Sequence, residues 1–400
     1  MKNKLWLPIK NFLKKIRDLL YRNFITEYLI PVKNQILLES KPDFSDNTYS
    51  LYLEMLKNDY QKKYKIIWLI TNKDIPDNFK RDDIKYFVIE KKGIAGLLNK
   101  LRLQYLINTS KFIITCNRFY KRKTNRQTII YLNHGQPLKD CSKLKMNFGD
   151  ADASVTSSTF FIEKNAKALN TKEEKFVIFQ PPRNDGLLSK DKDVKKIMNY
   201  QGQKIVIWLP TFRNYIDGKR IDSDFEMPLG IPIIYDTKEL EKLNKYLKER
   251  KITIILKPHF AADLSNLKAK TYSNFKIIYN KDLDKHNITL YELLGASDAL
   301  ITDYSSVYYD YLITKKPIAL TLDDFKEYEE KTGFAYNYKE IMKGHYIYTA
   351  EDFYQFFDNL SKNKDASKKE RMDIIKKLNF DTEGNYSKKL FDFLVDKYHF

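Results

Sequence analysis

The chain has 400 residues, 43% hydrophobic and 14% aromatic, enough for two ordinary cores and unlike a disordered chain. Lysine and arginine number 71 against 52 aspartate and glutamate, and the resulting charge of +19 favours phosphate-bearing partners: nucleic acid, anionic lipid or phosphorylated metabolites. Cys116 and Cys141 lie apart without Cys-x-x-Cys spacing, which argues against a disulfide framework or a zinc site and reads as two reduced cytosolic thiols. No run approaches the roughly 18 apolar residues of a spanning helix.

In chain order, the first element is a basic amphipathic pattern over residues 1–30. Leu5, Ile9, Phe12, Leu13, Ile16, Leu19, Leu20 and Phe24 recur at helical spacing, flanked by Lys2, Lys4, Lys10, Lys14, Lys15, Arg17 and Arg22. Such a helix suits an anionic membrane interface with Trp6 near the headgroups, or else packing on the body of the protein. Lysines and Asp18 interrupt the apolar run and no small-residue cleavage site follows, against a secretory signal.

Beyond Pro31, short strand-like runs alternate with helical stretches. Strands are expected over 35–39, 65–70, 86–89, 112–115, 128–132, 153–156 and 176–179, with helices near 49–57, 96–106 and 158–169. After a lysine- and aspartate-rich stretch at 189–203 the pattern restarts, with strands over 204–209, 252–256, 275–279, 299–302 and 317–320 and helices over 237–250, 289–296 and 304–314. Two tail helices, 350–360 and 367–378, either cover the second sheet or reach back to the first. This predicts an α/β protein: residues 1–30 as a membrane-associating helix, then Rossmann-like, doubly wound domains at 31–190 and 191–400 facing each other across a cleft.

Polar motifs fall where buried strands end, the place where open parallel sheets gather ligand groups. Asn133-His134-Gly135-Gln136-Pro137 puts an imidazole at such an end, able to take a proton near neutral pH. A lone histidine there is more often a structural turn, but Lys257-Pro258-His259 repeats the arrangement in the other half of a chain with five histidines. His286, His345 and His399 lack such contexts and read as structural or exposed. Asp303-Tyr304-Ser305-Ser306 stands at a strand-to-helix turn, where hydroxyls and free N–H groups either cap the helix or meet an anion. Asp310, about two helical turns along, is either solvated or poised for a polyol hydroxyl. Arg183 and Arg213 suit bidentate grip on a diphosphate, or an ion pair. The scattered Asp-x-Asp triplets are discounted as chance, so no metal site and no cofactor are expected.

The ordered set resembles the CDP-glycerol glycerophosphotransferase family, the teichoic acid primases and polymerases and their capsule relatives. It comprises Ile36-Leu37-Leu38-Glu39-Ser40 with Ser45-Asp46-Asn47, His134 to Lys139, Pro182 to Asp185, Pro210 to Arg213, Lys257-Pro258-His259, and Thr302 to Ser306 with Asp310, spanning about residues 33–340. The resemblance implies a GT-B fold, with an acceptor domain followed by a donor domain. It implies His134 as general base, His259, Ser305 and Ser306 on the donor diphosphate, and Asp303, Arg213 and Asp310 as further donor-side groups beside Lys257 and Arg183. The reaction implied is transfer of glycerol phosphate or ribitol phosphate from a CDP-alditol to a lipid-linked saccharide or polymer at the cytoplasmic face of the membrane. Gln136 stands where the family usually has threonine, and Gln180 and Pro181 where it has glycine and an aromatic, which bears on the identity of alditol and acceptor. A nucleotide-sugar GT-B glycosyltransferase is the enzyme alternative. A nucleic-acid-binding protein is the other, although no RNP-like or helix-turn-helix signature accompanies the charge.

Overall fold

A computed structural model describes residues 31–89, 93–141, 148–211, 225–258, 267 and 271–400. The amphipathic pattern of residues 1–30 lies outside the described residues.

Two parallel sheets account for the body of the molecule. The first contains β1 (Lys33–Glu39), β2 (Lys65–Ile70), β3 (Lys85–Val88), β4 (Ser110–Thr115), β5 (Thr128–Tyr131), β6 (Ala153–Thr156) and β7 (Phe176–Ile178), in the order β3-β2-β1-β4-β5-β6-β7. The second contains β8 (Lys204–Trp208), β9 (Ile252–Leu256), β10 (Phe275–Ile277), β11 (Ala299–Thr302), β12 (Ile318–Thr321) and β13 (His345–Ile347), in the order β10-β9-β8-β11-β12-β13. The two sheets share one winding, outward from the first strand and then back across it. Each therefore has a switch point, between β1 and β4 and between β8 and β11, where neighbouring loops part and leave a crevice at the carboxyl ends of the strands.

The strands are unbroken apolar runs because helices cover both faces. Ile36, Leu37 and Leu38 of β1 are fully buried, as are Ile205, Val206, Ile207 and Trp208 of β8. Register follows the same logic, with Leu37 opposite Ile67 on one side and Ile113 on the other. The helix Thr237–Glu249 shows how the covering layer forms: Asp236 caps it by accepting from the N–H groups of Lys238 and Glu239, and Leu240, Leu243 and Leu247 point inward. Each buried leucine contributes about 1.5–3 kcal/mol against leaving it in water.

All twelve expected strands are present, with ends moved by at most a few residues. The sequence reading lacks β13, a three-residue edge strand pairing Ala319 with His345. It also lacks a last helix, Tyr386–Tyr398, and here the packing differs from the expected division at residue 190. Leu390, Phe391 and Leu394, with the terminal Phe400, join the core of the first sheet. Asp185 holds the start of that helix by accepting from the N–H groups of Tyr386 (2.7 Å) and Ser387 (2.9 Å).

Candidate active site

The carboxyl ends of the two sheets face a cleft of ≈ 990 Å³ lined from both halves, by Asp46, His134 and Arg183 on one wall and Lys257, Ser305 and Ser306 on the other. That volume lies at the upper end for small-molecule sites and admits a nucleotide with part of an acceptor.

His134 sits three residues past β5, exposed to the cleft. Its Nδ1 lies 3.2 Å from the carbonyl oxygen of Cys116 and 3.5 Å from the Tyr131 hydroxyl. A carbonyl only accepts, so Nδ1 carries the proton and Nε2 keeps its lone pair, the tautomer a general base requires. The turn that presents the ring begins at Asn133 in a left-handed conformation, φ 59°. Asparagine tolerates this better than most residues because its short side chain bonds locally. Here Asn133 Oδ1 accepts from the His134 N–H at 2.8 Å. Gly135 brings the turn against the other half of the molecule: a Cβ at this position would stand 2.3 Å from Ser306 Oγ. His134 and the Ser305-Ser306 pair are thus brought together.

The two serines are more than helix caps. Ser306 is the N-cap residue of the helix Val307–Tyr311, yet its side chain makes no capping bond, and Ser305 Oγ accepts only a long bond, 3.4 Å, from the Val307 N–H. Lys257 follows β9 and lines the same wall; its ammonium forms no hydrogen bond or ion pair among the described residues. Burial pulls its pKa below the ordinary lysine value, partly opposed by Asp284 of the same half, whose own pKa burial raises. Lys257, Ser305 and Ser306 thus line one wall of the cleft with polar groups of the kind that hold anions.

Three expected donor ligands occupy other positions. Arg183 and Asp310 pair with each other at 2.7 Å, and Asp310 also accepts from Tyr291 Oη at 2.6 Å and Asn184 Nδ2 at 3.4 Å. Burial works against the Arg183 charge, but the Asp310 and Asp46 carboxylates outweigh it and hold its pKa above the ordinary value. A diphosphate could take this guanidinium only by displacing a carboxylate from a dry site. Asp303 is fully buried and accepts from the Thr211 N–H at 2.9 Å, Thr211 Oγ1 at 2.5 Å and the Tyr304 N–H at 2.6 Å. It fastens the Pro210-Thr211 turn to the end of β11 instead of facing the cleft. Arg213 and His259 lie outside the described residues. Among the described residues no cluster of three or more His, Cys, Asp or Glu is arranged to hold a metal ion.

Asp46, Asn47, Tyr291 and Asp284 enter the site unassigned by sequence reasoning. Asp46 and Asn47 stand in a Ser-Asp-Asn run that looks like a helix cap, and only tertiary contacts reveal their partners.

Facing Rossmann-like domains, with a histidine on one wall of the cleft and a lysine and two serines on the other, define a GT-B-type architecture. The family model of CDP-Glycerol:Poly(glycerophosphate) glycerophosphotransferase matches residues 23–396, and the chain belongs to this family of enzymes. Its relatives include the teichoic acid glycerol-phosphate primase of Bacillus subtilis (strain 168), 26% identical over 82% of this chain and 84% of the relative. They include the teichoic acid poly(glycerol phosphate) polymerase of Bacillus spizizenii, 27% identical over 88% of this chain and 89% of the relative. The ribitol-phosphate polymerase TarL of Staphylococcus aureus is 24% identical over 80% of this chain and 55% of its own length. The solved wall teichoic acid polymerase TagF shares the fold, with a TM-score of 0.67 at 22% identity over 97% of both chains.

Proposed function

We propose that this enzyme transfers glycerol phosphate from CDP-glycerol to a hydroxyl of a membrane-anchored acceptor and releases CMP, in teichoic acid or capsule polymer synthesis. The glycerol reading is preferred to ribitol because the two relatives described above that are matched over more than four fifths of their length, the primase of Bacillus subtilis and the polymerase of Bacillus spizizenii, are both named for glycerol phosphate. The acceptor oxygen attacks the glycerol-bearing phosphorus and forms a new P–O bond. The P–O bond to CMP breaks, its electron pair leaves with CMP, and the acceptor proton passes to His134 Nε2. Ser305, Ser306 and Lys257, together with His259 and Arg213, stabilise the charge that builds on the diphosphate oxygens; such transfer depends on positioning and electrostatics. The first domain presents the acceptor and the second holds the donor. Residues 1–30 lay the enzyme on the anionic cytoplasmic surface as a peripheral protein, and among the described residues no helix is long and apolar enough to cross a membrane.

The observation that carries this reading is the meeting, at Gly135 and Ser306, of a histidine whose free nitrogen is Nε2 with serines that cap nothing strongly. His134→Gln tests it, because glutamine imitates a hydrogen bond but cannot carry the proton away. Transfer from CDP-glycerol should fall by about a hundred- to ten-thousandfold, to a residual but measurable rate, while CDP-glycerol still binds. Wild-type turnover with an unaltered acid limb would return His134 to a structural turn, and turnover of UDP-sugars in place of CDP-glycerol would make the enzyme a glycosyltransferase.

A further inference from the structure

We infer that Asp46, Asn47 and Arg183 form a clamp that positions His134 for proton transfer, an inference that rests on the assignment of His134 as the base. The clamp closes on the two peptide carbonyls either side of the His134 Cα. Asn47 Nδ2 donates to the Asn133 carbonyl at 2.8 Å, and Arg183 Nη1 donates to the His134 carbonyl at 2.9 Å. The two arms are fastened together, since Asn47 Oδ1 accepts from the Arg183 N–H at 3.2 Å and Asp46 Oδ1 accepts from Arg183 Nη1 at 2.6 Å.

Both arms are dry: Asn47 is 1% exposed and Arg183 7%. Asp46 itself is held with φ 62°, a left-handed conformation disfavoured for a residue with a Cβ. Such strain persists only where surrounding contacts over-determine it, as they do at functional sites. Here Asp46 Oδ1 also accepts from the Asn47 N–H at 2.7 Å, so the strained residue aims both the carboxylate and the following amide side chain.

With both flanking peptides fixed and Nδ1 on the Cys116 carbonyl, the imidazole has little freedom left, and its Nε2 is aimed from the backbone outward. The same guanidinium reaches across to the donor side through Nη2, which donates to Asp310 Oδ2 on the helix that starts beside Ser306. One side chain thus sets the separation between base and phosphate cradle. An error of about an ångström in that separation costs on the order of a hundredfold in rate.

The experiment is a double-mutant cycle on the full chain, with Asp46→Asn, Asn47→Ala and Arg183→Lys each made alone and combined with His134→Gln. Thermal melting checks folding, calorimetry gives the dissociation constant for CDP-glycerol, and ¹⁵N shifts of labelled histidine report the His134 tautomer. In the single variants kcat should fall roughly ten- to a hundredfold while donor affinity stays within about twofold. The ¹⁵N signal should move toward mixed tautomers, and none of the three changes should slow His134→Gln further. Asp46→Asn keeps the shape of the side chain and carries the cycle if a larger change does not fold. Wild-type kcat in folded Asp46→Asn and Asn47→Ala, or losses that multiply independently with that of His134→Gln, would overturn the clamp. A fully active His134→Gln would instead remove the base assignment and leave the clamp without its object.

Discussion

Charge at a strand end is easy to see in a sequence, whereas what it faces is not. His134, Lys257, Ser305 and Ser306 were legible because each follows an apolar run and so must lie at the sheet's carboxyl edge. Arg183 and Asp303 also follow strand ends and Asp310 lies on the helix just beyond one, yet their partners are side chains remote in sequence, such as Asp46, Thr211 and Tyr291. Lys257 is left without a counter-ion among the described residues, and burial lowers its pKa. In the proposed function the Lys257 cation binds donor phosphate, and that binding is fully present at low pH and lost as pH rises through a pKa below the ordinary lysine value. The alkaline limb of kcat/KM for CDP-glycerol, which reports the free enzyme, should therefore come earlier than an ordinary lysine gives and vanish in Lys257→Met. A limb unmoved by Lys257→Met would assign it elsewhere. Asp303→Ala, by contrast, should act through stability: it strands two donors of Thr211 and one of Tyr304 and should cost about 3 kcal/mol or more, read from denaturant midpoints.

Among elements, parallel strands buried on both faces announce themselves as continuous apolar runs, and the sequence places them well. The exceptions are instructive. His345–Ile347 is three residues long at a sheet edge, too short to display a period. The helix Tyr386–Tyr398 lacks an orthodox start, since Asn385 is left-handed at φ 57° and offers no side-chain cap; Asp185, about 200 residues earlier, supplies the acceptor. Two element-level outcomes follow from the packing. Gly135→Ala drives a methyl into Ser306 Oγ across the cleft, so the Ser306 side chain must shift. The melting temperature should change little, because Ser306 is a flexible neighbour, but transfer should fall roughly ten- to a hundredfold; undiminished transfer would mean the contact is not part of the working geometry. Deleting residues 386–400 uncovers the first core where Leu390, Phe391, Leu394 and Phe400 pack, at about 1.5–3 kcal/mol for each side chain. That sum exceeds the margin of most domains, and the truncated protein should lose the cooperative unfolding of its first domain in calorimetry.

At the scale of the whole molecule, the +19 charge and the basic amphipathic pattern of residues 1–30 are the sequence features on which the proposed contact with an anionic membrane surface rests. Removing residues 1–30 should abolish co-sedimentation with phosphatidylglycerol vesicles and spare transfer to a soluble acceptor analogue. Sedimentation unchanged by the truncation would move the membrane contact to the body of the protein. The return of the final helix to the first sheet also reaches into the making of the protein. Roughly 220 residues separate the end of β7 from Phe400, and at about 5–20 residues per second the ribosome needs on the order of 10–45 s to add them. Throughout that interval the first sheet stands without its last covering layer, while the second domain, begun later, has all its strands once Ile347 is made. The half that leaves the ribosome first is the half that folds to completion last, with an aromatic-rich face open to chaperones until the helix Tyr386–Tyr398 and Phe400 emerge.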